Sequence, residues 1–272
     1  MHAGVKSLSV AALCLVWAAD ASAASCGNTG AGFDAWLAGF RRQAVAQGIP
    51  PRVVRAALGN VRYSSRVIRL DRNQHSFKLS FQRFWRLRVN NALINKGRRI
   101  MRSRARLFAR IERRFGVPAP VIVAIWGLET GYGRNSGHMP VFRSLATLAY
   151  DCRRAPMFRR ELLSALRIVA RGDISPGRMR GAWAGEIGQT QFLASKYLQY
   201  AVDFDGDGRR DLIHSAPDVL ASTANFLRAH GWRRGGGWGP GSANYGVIKQ
   251  WNRASVYQKT IAVMADKLSG RR

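Results

Sequence analysis

Apolar residues recur every three or four positions along most of this chain, which is the spacing of one face of an α-helix. Glycine or proline stands at many of the segment ends. The pattern predicts helices over 33–45, 51–59, 77–93, 98–115, 121–130, 141–150, 158–170, 191–202, 216–230 and 256–268. Alternating strand-like runs joined by hairpin turns are nearly absent. We therefore expect a mostly α fold with little β structure.

The most apolar of these helices carries a single carboxylate near its end. Its sequence from Val121 to Gly133 is VIVAIWGLETGYG, and Gly131 predicts a stop that leaves Glu129 in the last turn. The negative end of the helix dipole and an apolar wall that includes Trp126 both favour the protonated carboxyl. A carboxyl that stays protonated near neutrality can act as a general acid. A buried glutamate that accepts hydrogen bonds from backbone donors is the alternative.

The first 23 residues have the pattern of a secretory signal peptide. Lys6 precedes an apolar run from Leu8 to Ala19, and Ala21-Ser22-Ala23 has the small-residue pattern of a cleavage site. The apolar run is too short to span a bilayer, so we predict export without a transmembrane segment. Cys26 and Cys152 are the two cysteines after the cleavage site, and export predicts a disulfide between them. Two free buried thiols are the alternative.

The net charge of +29 predicts a polyanionic partner. Export argues against nucleic acid and in favour of cell-wall polymers, acidic polysaccharide or anionic lipid. Eight arginines lie between residues 98 and 115, where they form a solvated face on a packed helix or a contact with the wall. Solubility alone is a further explanation of the basic surface.

An acidic loop follows at residues 203–214, with the spacing of a calcium-binding loop. Loop positions 1, 3, 5 and 9 are Asp203, Asp205, Asp207 and Asp211, and Gly208 is at position 6. Position 12 is His214 in place of the usual glutamate, so Asp218 is the candidate for the missing ligand. We expect a structural Ca²⁺ or Na⁺ here. The alternative is an acidic turn without an ion, in which Asp218 completes a helix cap with Ser215.

The glycine-rich loop GAWAGEIGQTQF at residues 181–192 precedes a predicted helix and lacks the lysine of a phosphate-binding loop. Glu186, Gln189 and Gln191 are side chains that can hydrogen-bond sugar hydroxyls and amides. A tight turn capped by Gln191 is the alternative. Most other carboxylates lie among arginines or in the acidic loop, which leaves Glu129 and Glu186 as catalytic candidates. The five histidines show no zinc-ligand spacing.

Five stretches of the chain together resemble one known family. They are AIWGLETGYG at 124–133, SLATL at 144–148, GEIGQTQF at 185–192, YAVDFDGDG at 200–208 and AHGW at 229–232. In this order they are similar to the lytic murein transglycosylases of the membrane-bound B type, glycoside hydrolase family 103. The resemblance implies a lysozyme-like catalytic domain that cleaves the MurNAc-β-1,4-GlcNAc bond of peptidoglycan and forms 1,6-anhydro-MurNAc without net hydrolysis.

The resemblance also implies roles for individual residues. Glu129 matches the family's single acid and base, and Asp203 to Asp207 match its cation loop. No cofactor is implied for the chemistry itself. The residues implied to bind or line the substrate site are Tyr132, Gly185, Ile187, Gly188, Gln191, Asn252 and Tyr257. Ala182 departs from the family, because some relatives have a hydroxyl residue there.

A lone acid needs assistance from its substrate, since hydrolases that retain or invert configuration use two carboxylates. The N-acetyl group of MurNAc can close on C1 while Glu129 protonates the leaving oxygen. Glu129 then takes the proton from the C6 hydroxyl as that oxygen attacks C1. Glu186 leaves open a muramidase with two carboxylates, and a wall-binding protein without catalysis is another class.

The expected organisation is a signal peptide at 1–23, an N-terminal helical region at 24–115 packed on the core, and a lysozyme-like catalytic domain at 116–272. The cysteines make no convincing lipid anchor, so we expect a periplasmic protein at the cell wall. The expected partners are peptidoglycan glycan strands and cell-wall machinery, without nucleic acid. We expect a monomer.

Overall fold

The computed structural model describes residues 26–73 and 79–270, and these residues form thirteen α-helices. The first six are α1 Phe33–Ala46, α2 Pro51–Leu58, α3 Ser65–Arg72, α4 Phe81–Arg88, α5 Asn91–Ser103 and α6 Ala105–Phe115. The others are α7 Ala119–Thr130, α8 Val141–Tyr150, α9 Ala155–Ala170, α10 Ala194–Tyr200, α11 Ala216–Ala229, α12 Tyr245–Trp251 and α13 Ser255–Ser269. The mostly α fold predicted from the sequence is confirmed. The predicted signal peptide lies outside the described residues.

Two predicted helices are divided differently in the structure. The predicted helix over 77–93, of which 77 and 78 lie outside the described residues, is divided into α4 and the start of α5. Asn90 is extended between them, and its side chain caps α5 by accepting from the Leu93 N–H at 2.8 Å. The predicted helix over 98–115 is divided at Arg104, where α5 ends and α6 begins. Helices α3 and α12 were not predicted.

The helix predicted over 191–202 begins later, at Ala194. Gln191 has a left-handed backbone with φ of 57°, and residues on either side of it pair with each other. The Ile187 N–H donates to the Phe192 carbonyl at 2.7 Å, and the Phe192 N–H donates back to Ile187 at 3.0 Å. The chain therefore makes a tight turn before it becomes helical.

Helix α7 is the central helix of the fold. Helices α5, α6, α11 and α13 pack against it. Every residue from Val121 to Thr130 is buried except Glu129, which is partly exposed. A helix that is apolar on all sides is stable only inside a core. Within this buried segment Glu129 is the one residue that reaches the surface of the packed helices.

The helices before residue 116 pack directly on those after it, with α1 against α8, α2 against α9 and α5 against α7. A disulfide joins Cys26 to Cys152 across 126 residues of sequence. Beside it, the Gly27 N–H donates to the Tyr150 carbonyl at 3.0 Å. These contacts attach the start of the described chain to the end of α8.

The only strands among the described residues are β1 Met139–Pro140 and β2 Arg180–Gly181, which form an antiparallel pair. This pair connects the segment after α7 to the glycine-rich loop. Within the described part of the chain, no helix is both long and apolar enough to span a membrane.

Candidate active site

The C-terminal end of α7 is fixed against the glycine-rich loop. Gly131 ends the helix in the left-handed conformation, with φ of 60°. The Thr130 hydroxyl donates to the Gln189 carbonyl at 2.6 Å, and the Trp126 indole donates to the Gln189 side chain at 3.0 Å. These bonds hold the carboxyl-bearing turn of α7 and the loop in one orientation.

Glu129 lines a cleft of about 530 Å³. The Trp251 indole Nε1 donates to its Oε1 at 2.9 Å, and the Tyr257 side chain lies beside the same carboxyl. Burial raises the pKa of Glu129 above its ordinary value, and this effect exceeds the opposing effects of Trp251, of Tyr257 and of the nearby Arg88 charge. A negative charge on the nearby Glu186 would raise the pKa of Glu129 further. The raised pKa favours the protonated carboxyl, which can donate a proton.

Trp251 is held in place by aromatic neighbours. Its ring makes edge contacts with Phe192 at 5.4 Å and with Phe226 at 5.1 Å between centroids. The two phenyl rings also contact each other at 6.1 Å. This aromatic cluster restricts the indole to the orientation in which its N–H points at Glu129.

Gln191 also lines the cleft, and its backbone is in an unfavourable conformation for a residue with a side chain. Its side-chain amide nitrogen donates to the carbonyls of Gly188 at 2.8 Å and Ser136 at 3.1 Å. No described residue donates to its amide oxygen. Backbone strain of this kind persists where the surroundings enforce it, and it is frequent at ligand sites.

The neighbouring loop residues shape the backbone and do not line the cleft. Gly185 and Gly188 both have positive φ, and a Cβ on Gly188 would lie 2.1 Å from the Leu212 carbonyl oxygen. Ile187 is fully buried, and its backbone groups pair with Phe192. We therefore assign these three residues to positioning the loop.

Glu186 lines the same cleft as Glu129. Its Oε2 is buried without a hydrogen-bond partner among the described residues. Burial raises the pKa of Glu186, although backbone N–H groups of Ala184 and of Glu186 itself and the charge of Arg154 lower it. The side chain is therefore better suited to remain neutral than to hold a negative charge.

Two residues considered from the sequence lie elsewhere. Tyr132 is buried, and its hydroxyl donates to the Leu93 carbonyl at 2.9 Å, which joins α7 to α5. The Gln189 amide accepts from Trp126 and donates to the Ile213 carbonyl at 2.9 Å. Their polar groups bond within the protein, and neither residue lines the cleft that contains Glu129.

The C-terminal segment contributes more than the sequence predicted. Asn252 lines the cleft, and its side chain accepts from the Ala254 N–H at 3.0 Å. Tyr257 is buried behind Glu129, which places it beside the carboxyl and outside the lining of the cleft. Trp251 and Arg88 were missed as partners of Glu129. Trp251 directly precedes Asn252, which the resemblance implied, whereas nothing in the sequence indicated Arg88.

The acidic loop brings three carboxylates together. Oxygen atoms of Asp203, Asp205 and Asp218 all lie within 4.8 Å of one another. Asp218 is buried and accepts the N–H groups of Phe204 at 2.7 Å and Asp211 at 2.8 Å, which folds the loop over it. Three oxygen ligands at this spacing fit a hard cation such as Ca²⁺.

The other two acids of the loop are not part of this group. Asp207 accepts the Arg209 N–H at 2.8 Å. Asp211 accepts from the Ile213 and His214 backbones and lies 3.1 Å from the His214 ring. Asp218, the candidate for the missing ligand at position 12, lies with Asp203 and Asp205, and its role as a ligand stays a prediction.

Comparison with known proteins agrees with this geometry. Residues 32–242 match the family model described as transglycosylase SLT domain. A segment of 122 residues, 44% of this chain, is 42% identical to membrane-bound lytic murein transglycosylase B of Escherichia coli K12, and it spans 34% of that protein. SltB3 of Pseudomonas aeruginosa, solved in complex with NAG-NAM-pentapeptide, is 32% identical, with a TM-score of 0.84 over 89% of this chain and 80% of its own.

The chain therefore belongs to the transglycosylase SLT domain family of enzymes. Within it, the chain is similar to the B-type lytic transglycosylases, as its motifs predicted. The fold is also that of Escherichia coli Slt35, solved in complex with calcium, which is 23% identical with a TM-score of 0.76 over 92% of this chain and 97% of its own.

Proposed function

We propose that this protein is a lytic transglycosylase that cleaves the MurNAc-β-1,4-GlcNAc bond of peptidoglycan and leaves a 1,6-anhydro-MurNAc end. The main support is Glu129, a carboxyl of raised pKa that lines a cleft and is oriented by Trp251. Family membership and the peptidoglycan fragment bound to SltB3 support the substrate.

In this proposal Glu129 first donates its proton to the glycosidic oxygen. The N-acetyl group of MurNAc attacks C1 as the leaving sugar departs, and Glu129 becomes a carboxylate. Trp251 stabilises that carboxylate by donating to it, and Tyr257 lies beside it. Glu129 then takes the C6 hydroxyl proton while O6 attacks C1 and displaces the acetyl oxygen, which restores the acid and the N-acetyl group without consuming water.

Glu186 decides between this reaction and hydrolysis. A muramidase that used it would need a charged carboxylate as base or nucleophile. The desolvated Oε2 and raised pKa of Glu186 favour the neutral form, which supports the transglycosylase. We also propose that the enzyme acts outside the cytoplasm, as a monomer in contact with cell-wall machinery. The loop around Asp218 would hold a structural Ca²⁺ or Na⁺.

Digestion of purified sacculi tests the proposal through the masses of the released products. We expect anhydro ends from the wild type, none from Glu129→Gln, and anhydro ends still from Glu186→Gln. Products that have gained water and depend on Glu186 would instead identify a muramidase. Binding without release of fragments would identify a wall-binding protein, and full activity of Glu129→Gln would refute the assignment of the acid.

A further inference from the structure

Helix α6 presents a row of positive charge to solvent. Four exposed arginines share one of its faces, at Arg106, Arg110, Arg113 and Arg114. Their spacing of four, seven and eight residues from the first places them on adjacent turns of the same side. The apolar residues of α6 lie on the opposite side and are buried in the core.

Two further arginines extend this row from the end of α11 and the segment after it. Arg228 donates to the Arg114 carbonyl at 3.2 Å, and Arg234 donates to the carbonyls of Glu112 at 2.9 Å and Arg113 at 2.7 Å. Both side chains are exposed. We name these two residues together with the four of α6 the α6 arginine surface. None of its members forms an ion pair with a described residue.

The stability of the fold does not explain this surface. Like charges four residues apart destabilise a helix by about 0.2–0.5 kcal/mol per pair. Arg110 and Arg114 do pack on Phe204, at 5.0 Å and 5.9 Å from its ring centre, and Arg234 caps α6. Arg106 and Arg113 make no such side-chain contact with described residues. Six guanidiniums that lie side by side without a carboxylate partner among the described residues therefore indicate a ligand of opposite charge.

We propose that the α6 arginine surface binds peptide-stem carboxylates of peptidoglycan at a second place, outside the catalytic cleft. The inference rests on the proposed function, because it takes the wall polymer as the substrate. Guanidinium groups bind carboxylates through paired hydrogen bonds, and a strand that bears carboxylates at intervals matches a row of them. None of the six arginines lines the cleft, so the surface provides an additional attachment to the same polymer.

A membrane is the less suitable partner. Helices that bind a bilayer surface combine basic residues with apolar side chains that enter the headgroup region. On α6 the large apolar residues Phe108, Ile111 and Phe115 are buried in the core and are not available for insertion. The surface therefore offers charge alone, as a hydrated anionic polymer requires.

Sedimentation with purified sacculi tests the inference. The test variant replaces all four α6 arginines by glutamine, at Arg106, Arg110, Arg113 and Arg114. The matched control removes the same charge from exposed arginines of α2 and α3, at Arg52, Arg55, Arg66 and Arg69. We expect the test variant to bind roughly thirty-fold more weakly and to lose most of the salt dependence, with little change in the control.

A second variant protects the test against misfolding. Arg106→Gln with Arg113→Gln leaves the arginines on Phe204 in place, and it should weaken binding in the same direction without a change in melting temperature. Cleavage of a short soluble muropeptide should be unchanged in every variant. If the wild type failed to cleave that muropeptide, the proposed function would be refuted. The sedimentation with sacculi would still show whether the α6 arginine surface binds the wall polymer.

Three results would overturn the inference. Sacculus binding of the α6 variants at wild-type strength is the first. Equal weakening of the test variant and the control is the second, because it would assign binding to net charge. In the third, the α6 variants lose binding to phosphatidylglycerol vesicles but keep binding to sacculi, which would assign the surface to a membrane.

Discussion

The hydrogen bond from Trp251 to Glu129 leads to a sharp prediction about catalysis. Trp251→Phe removes the indole N–H that donates at 2.9 Å and keeps an aromatic ring between Phe192 and Phe226. A hydrogen bond to a charged group contributes about 1.5–3 kcal/mol. The variant therefore destabilises the Glu129 carboxylate by about that amount.

The expected loss of rate follows from this free energy. If about half of the negative charge has developed on Glu129 at the transition state, kcat falls roughly four- to twelve-fold. The pKa of Glu129 is already raised by burial, and loss of the donor raises it further. Because the acid must be protonated at the start, the fall in activity at high pH moves to higher pH.

The assay measures kcat and kcat/KM against pH on a soluble muropeptide. Trp183→Phe is the matched control, because Trp183 lines the same cleft and no hydrogen bond from it to Glu129 exists in the structure. Only the Trp251 variant should shift the fall in activity at high pH, the high-pH limb of the profile, to higher pH. A lower kcat with an unmoved limb would show that Trp251 acts through packing and would refute the electrostatic reasoning.

Three further predictions concern stability. The folded-state pKa of Glu129 is raised above 4.5, so the free energy of unfolding declines as pH rises from that value through the folded pKa. Glu129→Gln avoids this decline. In urea unfolding, the excess stability of the variant over the wild type should be larger at about pH 8 than at about pH 4. An advantage that is equal at both pH values would contradict this. Replacing Cys26 and Cys152 together by serine opens a crosslink across 126 residues and should lower the free energy of unfolding by about 2–4 kcal/mol; an unchanged denaturation midpoint would count against a stabilising disulfide. Calcium at 100 times its Kd should stabilise the chelator-treated protein by about 2.7 kcal/mol. This stabilisation should be absent in the double variant Asp203→Asn with Asp205→Asn. A wild-type melting temperature that does not change on addition of calcium would exclude a structural calcium ion.

Much of the helical architecture follows from local sequence. Helix α8 has the predicted bounds of 141 and 150, because its apolar spacing is regular and Pro140 precedes it. Gly131 predicted the end of α7 and therefore placed Glu129 in its last turn. The acidic loop was readable in part, since Asp203, Asp205 and Asp218 lie together whereas Asp207 and Asp211 accept from neighbouring backbone groups. The prediction of one continuous helix over 98–115 was wrong at Arg104, where the apolar pattern continues but α5 ends and α6 begins.

The sequence by itself determined which residue types were available and where the helices lie, because both depend on contacts between residues a few positions apart. Only the tertiary structure decided which side chains surround Glu129. Trp251 is 122 residues away, and Arg88 is the last residue of α4, three helices before α7 in the chain, so no periodic pattern connects them to the carboxyl. The same holds for Tyr132, whose place in a substrate motif did not reveal that its hydroxyl bonds to Leu93 in the core. Burial and long-range packing set the pKa of an acid, and these exist only once the chain has folded.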